Sequence, residues 1–319
     1  MILILSTPRD EHAQAVYGEI LKLGGSARLL DLSDFPQRLG LIMRYEQGRH
    51  RYALGCGDMD FDMDGCGAAW WRRPQQPEVS VSIMRVSHRQ FAANESSEAL
   101  HGLWRALDVF WVNDPLRDQA AQRKPYQLRV AQDVGLEMPD TLITNCIGQV
   151  REFVAARGFD RVIYKAFSAT EEEWRETRLL KENELEMIEN VKYAPVIFQE
   201  YVEAEVDLRV TIVGDKIFPA AIYSQETSYK VDFRIDMTCA RVEVAQLPAE
   251  TERQLHAFMG RLGLVFGAID MRRTPNGRHV FLEINPAGQW LFVEQRTGQP
   301  ISAALAQLLC EKDQKAAER

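Results

Sequence analysis

The first apolar run, residues 2–5, is short and is followed by Thr7, Pro8, Arg9 and Asp10, a pattern that predicts a buried strand, a turn and a helix through about Leu23. Gly24-Gly25 stops that helix, and residues 27–32 supply a second strand. Strand, helix and strand in that order point to an α/β layer on a parallel sheet. From Arg49 to Trp71, short alternating stretches punctuated by Gly55, Gly57, Gly65 and Gly67 predict a hairpin that leads into a strand at 68–71, followed by Arg72-Arg73-Pro74. A helical pattern over about 87–107 and a strand at 110–112, ended by Asn113-Asp114-Pro115, complete this unit.

Lys124-Pro125 heads a second unit, because proline suits the first turn of a helix. Leu128, Ala131 and Val134 recur at helical spacing and Gly135 closes the helix. A strand at 140–144, a helix over about 148–156 and a strand at 161–165 follow. The charged, glycine-free segment 169–190 reads as either a mobile helical flap or a solvated face. Beyond Pro195 the strands lengthen, at 196–201, 207–213 and 216–223, and Gly214-Asp215 makes a tight hairpin turn between the last two. This is an antiparallel sheet, interrupted by a helix at 249–262 and resumed by strands at 265–272 and 279–284 across the turn Thr274-Pro275-Asn276-Gly277. A last helix runs from Pro300 to about Glu311, and the tail 313–319 is expected to fray. The expected division is an N-terminal α/β domain at 1–115, a central lobe at 116–197 and a C-terminal lobe at 198–319.

With 319 residues, 46% of them apolar and 26% charged, the chain can bury a sizeable core, which excludes collagen-like, disulfide-scaffold and wholly disordered classes. Lys and Arg number 38 against 46 Asp and Glu, and the net charge of -8 argues against a partner that is duplex nucleic acid or an anionic membrane, while leaving room for a local basic pocket. Cys56, Cys66, Cys146, Cys239 and Cys310 are scattered and odd in number, with no C-x-x-C pair, which favours a reducing, cytoplasmic location. The apolar start is too short for a signal peptide or a membrane span.

Asp270, Glu283 and Asn285 bring three hard oxygen donors to the facing ends of two strands, Glu283 and Asn285 sharing a face because they are two apart. Such donors suit Mg²⁺ or Mn²⁺ carrying nucleotide phosphates. The same residues also suit a half-buried strand that ends in an Asn-Pro turn. Lys124 at a helix start and Lys165 at a strand end are natural anion contacts, although a lysine taken singly is more often a solvated surface residue.

The order of these features resembles the ATP-grasp superfamily. That resemblance implies two Mg²⁺ ions on Asp270, Glu283 and Asn285, and ATP phosphates on Lys124 and Lys165, the second also near adenine. It places Gln199-Glu200-Tyr201-Val202-Glu203 at a hinge, where the backbone near Tyr201, Val202 and Glu203 pairs with adenine, Glu200 accepts from its amine and Asp207 holds the ribose. Carboxylates suit these tasks because they only accept hydrogen bonds. The implied fold has ATP between the central and C-terminal lobes. One departure is Ser168-Ala-Thr-Glu-Glu-Glu-Trp174 in place of a glycine-rich phosphate loop.

Trp70-Trp71-Arg72-Arg73-Pro74, Val231-Asp232-Phe233-Arg234 and Asn285-Pro-Ala-Gly-Gln-Trp290 further resemble the graspetide synthetases of the microviridin type. These phosphorylate Asp or Glu side chains of a ribosomal precursor peptide, and a Ser/Thr hydroxyl or Lys amine then closes a macrocycle. Arg209, Arg272, Arg234 and Lys230 are candidates for the substrate carboxylate and acyl phosphate, or for structural ion pairs. The precursor's leader is expected on 216–223 and the loop to Arg241, and a homodimer is expected from the family. Arg72 and Arg73 belong either to the site or to a cap on the first sheet. The competing readings are a ligase that adds an amino acid to a protein or peptide carboxylate, and a non-catalytic nucleotide-binding scaffold; the intact Asp270, Glu283 and Asn285 weigh against the scaffold.

Overall fold

The computed structural model describes residues 1–55, 61–167, 177–184, 188–226 and 240–317, and among them are sixteen strands and eight α-helices. β1 (Ile2–Leu5) is buried throughout. α1 (Glu11–Lys22) starts where it does because Asp10 accepts from the N–H groups of His12 and Ala13, donors that a first turn leaves over. β2 (Ala27–Leu30) lies parallel to β1. β3 (Leu41–Glu46) and β4 (Arg49–Leu54) form a hairpin, to which β5 (Phe61–Asp62) adds. The hairpin expected after Arg49 therefore has its first arm earlier, at Leu41. β3 is half-buried or exposed along its whole length, so no apolar alternation marked it. β6 (Ala68–Trp71), α2 (Val86–Ala106) and β7 (Phe110–Val112) complete a four-stranded sheet of order β2-β1-β6-β7, parallel as the strand–helix–strand order predicts.

α3 (Pro115–Ala121) is an element that the sequence reading took for a boundary, although Asp114 caps it and Pro115 opens it. In α4 (Lys124–Asp133) Ala131 of the expected stripe is buried, Leu128 and the following Val134 are half-buried, and Gln127 and Val130 are buried beside them. Gln127 faces inward because its amide has backbone groups to satisfy: it donates to Ile284 O and accepts from Ile284 N–H. β8 (Thr141–Thr144), α5 (Ile147–Arg157), β9 (Val162–Lys165), β10 (Arg178–Leu179) and β11 (Val196–Glu200) follow, in a sheet of order β10-β9-β11-β8. The described part of 169–190 is not a helical flap. β10 pairs with β9, and Leu180, Ile188 and Val191 enter the core under this sheet; residues 168–176, including the whole unusual phosphate-loop sequence, and 185–187 lie outside the described residues.

β12 (Val206–Val213), β13 (Lys216–Ile222), β14 (Val242–Val244), α6 (Ala249–Leu262), β15 (Phe266–Arg273) and β16 (His279–Asn285) give an antiparallel sheet of order β14-β13-β12-β15-β16. α6 covers one face, with Leu255, Phe258 and Met259 against Leu208, Val210 and Phe281. α7 (Leu291–Thr297) and α8 (Ile301–Ala317) end the chain. Leu305 and Leu309 of α8 join Ile4, Val16, Trp70, Phe266 and Trp290 in one apolar core, so the first sheet and the five-stranded sheet are packed through the last helix. That helix corrects the expectation of a frayed tail. Asp313 accepts from the Met1 amine at 2.7 Å and from Gly67 N–H at 2.9 Å, and a Cβ on Gly67 would come within 2.7 Å of Ala316. No helix among the described residues is long and apolar enough to cross a membrane.

Asp118 of α3 is buried, with one carboxylate oxygen accepting from Gln122 at 2.5 Å and the other without a partner. Burial pushes its pKa up to about 6. The folded state therefore holds this proton more tightly than an unfolded carboxyl near 3.9, and the stability it contributes, about 3 kcal/mol, is lost as pH rises from about 4 through 6. Urea unfolding at pH 4.5 and pH 7 is expected to show Asp118→Asn gaining stability relative to wild type at the higher pH. An equal gap at both values would contradict a buried, protonated carboxyl.

Candidate active site

The face of the five-stranded sheet opposite α6 carries arginine–aspartate pairs in register. Asp207 of β12 stands across from Arg272 of β15, Arg209 across from Asp270, and Asp270 across from Glu283 of β16. Directly opposed residues in an antiparallel ladder share a face, and the two arginine–aspartate pairs close, while Asp270 and Glu283 set two acids side by side. Arg272 Nε donates to Asp207 Oδ1 at 2.8 Å, and Arg209 Nη1 donates to Asp270 Oδ1 at 2.6 Å. Ser224 Oγ donates to the second oxygen of Asp207. All four charged groups are buried, which is sustainable only because they neutralise one another.

A β-bulge sets the phase of the last strand. The register steps between Asp270 and Met271, so that Met271 faces Phe281 while Asp270 faces Glu283, and Leu282 is the extra residue. Were Leu282 a regular strand residue, strict alternation would put Glu283 on the same face as Phe281, which packs against α6. The bulge lets Phe281 and Ile284 stay in the core while Glu283 and Asn285 turn to the charged face with Asp270. Thus Asp270, Glu283 and Asn285 do share one face, as the sequence spacing predicted.

Lys124 Nζ reaches Glu283 Oε2 at 2.5 Å from the first residue of α4. Lys165 ends β9 and donates to Gln199 Oε1 at 3.3 Å; Gln199, buried, in turn donates to Thr141 Oγ1. Glu200 ends β11 and is exposed, and Tyr201 and Val202 begin the connection to β12. Arg272 ties this connection down: its Nη1 donates to Val202 O at 2.7 Å and its guanidinium lies 5.3 Å from the Tyr201 ring centre. Beside the same segment opens a cleft of about 330 Å³, with Glu200, Tyr201, Val202 and Glu203 on one wall and Glu137, Arg161 and Arg278 on others. Lys230 and Arg234, together with Cys56 and Cys239, lie outside the described residues.

Two carboxylates and an amide oxygen form a donor set that fits a hard divalent cation holding several waters. Among the described residues no group of three or more His, Cys, Asp and Glu could hold a metal, so the fit rests on Asn285 beside the two acids. Lys124 on Glu283 and Arg209 on Asp270 place two cations at the same acids, which makes the face a place for anionic groups as well. β14 pairs with β13 over Ala220–Ile222 and is the outer strand, and most of the loop to Arg241, where with 216–223 the leader is expected, lies outside the described residues. Sequence reading missed Gln127 and Asn113. Asn113 donates to Phe266 O and Pro286 O and accepts from Val265 and Phe266 N–H, and the only sequence signal was an Asn-Asp-Pro that reads equally as a turn.

Residues 1–119 match the family model of the MvdD pre-ATP grasp domain. The macrocyclase MdnC of Microcystis aeruginosa MRC, crystallised with precursor peptide MdnA, is 30% identical, with 98% of this chain and 99% of its own covered and a TM-score of 0.86. Macrocyclase MdnB of the same organism is 29% identical over 97% and 98% of the two chains, with a TM-score of 0.80. A RiPP-associated ATP-grasp ligase of Chryseobacterium gregarium, solved with ADP and a leader and core peptide, shares the fold at a TM-score of 0.88 and 24% identity, over 98% of this chain and 96% of its own. No curated protein sequence matches the chain.

Removing Arg272 alone leaves Asp207 buried without its cation. Arg272→Met is expected to cost about 3–5 kcal/mol in urea unfolding, and Asp207→Asn added to it is expected to recover part of that loss. Additive losses would mean that the two groups do not support each other.

Proposed function

The chain belongs to the graspetide-type ATP-grasp ligases, and on that premise we propose that it activates Asp or Glu side chains of a ribosomal precursor peptide with ATP and closes macrocyclic esters or amides. The observation that carries the reading is the shared face of Asp270, Glu283 and Asn285, with Lys124 and Arg209 on its acids, in a chain similar to MdnC over nearly its whole length. The parts are an N-terminal domain at 1–115, a central lobe at 116–197 and a C-terminal lobe at 198–319, with the nucleotide between the last two.

A carboxylate is a poor acyl donor because its leaving group would be oxide. Attack of a carboxylate oxygen on the γ-phosphorus of ATP breaks the bond to the β-phosphate oxygen and releases ADP. A Ser/Thr hydroxyl or Lys amine then attacks the acyl carbon, gives up its proton, and the bond to phosphate breaks. In this chemistry the protein supplies chiefly positioning and charge. Lys124 and Lys165 are assigned to the phosphates, Asp207 to the ribose, and Gln199, Glu200, Tyr201 and Val202 to adenine. Asp270, Glu283 and Asn285 would hold two Mg²⁺ ions, or Mn²⁺, which supply charge stabilisation to the transferring phosphoryl group.

Arg209, next to Asp270, is the arginine assigned to the substrate carboxylate, since a guanidinium fork matches both that group and an acyl phosphate. Arg272, bound to Asp207 and Val202 O, is assigned to holding the adenine segment rather than to contact with the peptide. Lys230 and Arg234 are proposed, from the sequence alone, for the substrate carboxylate and acyl phosphate. A homodimer and a cytoplasmic location belong to the same reading.

The reading is tested with ATP, Mg²⁺ and the short precursor peptide encoded beside the gene, by weighing the peptide. Loss of one water mass per ring supports it, a gain of one residue mass supports an amino-acid ligase instead, and an unchanged mass with ATP intact counts against both. Glu283→Gln keeps the shape of the side chain and removes its charge. That variant is expected to fold with a melting temperature near wild type and to lose turnover by about a hundredfold or more; wild-type turnover would remove the metal assignment.

A further inference from the structure

Arg72 follows the last residue of β6 and is 1% exposed. Its Nε donates to Asp10 Oδ2 at 3.0 Å, and its Nη1 donates to Ala287 O at 2.6 Å and to Gly288 O at 2.8 Å. The guanidinium also lies 5.1 Å from the Trp290 ring centre. Burial lowers its pKa to about 10, with Asp10 opposing the shift, so it remains charged at neutral pH. An apolar side chain would fill this space at less cost, because a buried ion pair adds little stability by itself. What an apolar residue could not do is hold two successive carbonyls from one planar fork.

Those carbonyls belong to the irregular segment that follows β16, where no ladder fixes the backbone. Other elements fix it instead. Pro286 O accepts from Asn113 at 3.2 Å, Ala287 O also accepts from Arg73 at 3.1 Å, and Gln289 O accepts from Arg209 at 3.0 Å. Trp290 and Leu291 N–H donate to His12 Nε2 at 3.1 and 3.3 Å. Four consecutive carbonyls, 286 to 289, are therefore taken by side chains, and those of 286 to 288 are taken by residues at the ends of the first sheet. From the other side the segment cannot retreat. A Cβ on Gly288 would lie 2.3 Å from Ala268 Cβ and 3.4 Å from Arg209 Nη2.

We propose that Arg72 is a positioning residue: from the first sheet it clamps the 286–289 strap, and through Gln289 O and the adjoining Asn285 it sets Arg209 and Asn285 relative to Asp270 and Glu283. The clamp explains why the N-terminal sheet is wedded to a site to which it contributes no metal donor. It rests on the ligase reading for its consequence, though not for its geometry.

Arg72→Lys keeps the charge beside Asp10 and removes the fork. Hydrogen–deuterium exchange followed by mass spectrometry is expected to show the amides of Gly288, Trp290 and Leu291 exchanging about tenfold faster than in wild type. ADP release with the precursor peptide, per mole of folded protein counted by its cooperative unfolding signal, is expected to show kcat lowered about tenfold or more and the KM for ATP within about twofold; the count is needed because a smaller folded fraction would also lower the apparent kcat at constant KM. Unchanged exchange at those amides overturns the proposal, and so does faster exchange with an unchanged kcat. If wild type itself releases no ADP with the peptide, the ligase reading fails, while the exchange measurement still decides the clamp. Should Arg72→Lys not fold, Asp10→Asn serves in its place, because asparagine still caps α1 but no longer carries the charge that orients the guanidinium; the same outcomes are expected and the same outcomes overturn it.

Discussion

Buried charge that must be neutralised by its neighbours is the constraint on which the rest of this molecule depends. The face formed by β12, β15 and β16 carries Asp207, Arg209, Asp270 and Arg272 almost out of water, and each has an opposite charge directly across the ladder. An unpaired ion at that depth would cost several kcal/mol, comparable to a large part of a domain's net stability. The strand register is therefore fixed twice, by the apolar face against α6 and by the charge pairing on the other face. A slip by one residue would bury charge in the apolar core and expose the core to the charged side.

The second consequence is that the site is assembled from the whole length of the chain. Lys124 arrives on α4, Glu283 on β16, and the strap beyond it is held by Asn113 and Arg72 from the first sheet. The last helix packs on α1, and its Asp313 binds the N-terminal amine, so the first and last elements are locked together. The first sheet therefore acts as a support against which the irregular segment after β16 is braced. Irregular backbone near chemistry needs such bracing, because it has no ladder of its own.

Much of the fold was legible from periodicity. The parallel order of β1, β2 and β6, the antiparallel strands after Pro195 and the helix α6 all follow from apolar spacing and turn residues. What was misread has specific causes. β3 is too exposed to alternate, α3 hides behind a motif that is both a turn and a helix start, and the tail after Glu311 is helical because Asp313 has partners more than 240 residues away in sequence. Gln127 was invisible as a core residue because a polar side chain on a helix is ordinarily taken to face water, and only the Ile284 backbone explains its burial.

For the site, the sequence by itself determined the chemical types and their local spacing: two carboxylates, an Asn-Pro, two lysines at element ends and arginines two apart from acids. Local spacing follows from covalent geometry, so residues two apart on a regular stretch of strand share a face wherever the strand lies. Only the tertiary structure decided that Leu282 bulges and so keeps Phe281 in the core while Glu283 meets Asp270, that Arg209 and Arg272 each have a carboxylate across the ladder, and that Arg72 reaches the strap rather than capping its own sheet. The reason is physical. Which buried charge meets which, and where a strand gains a residue, are settled by the requirement that every desolvated polar group find a partner at once, and those partners are brought together only by the fold.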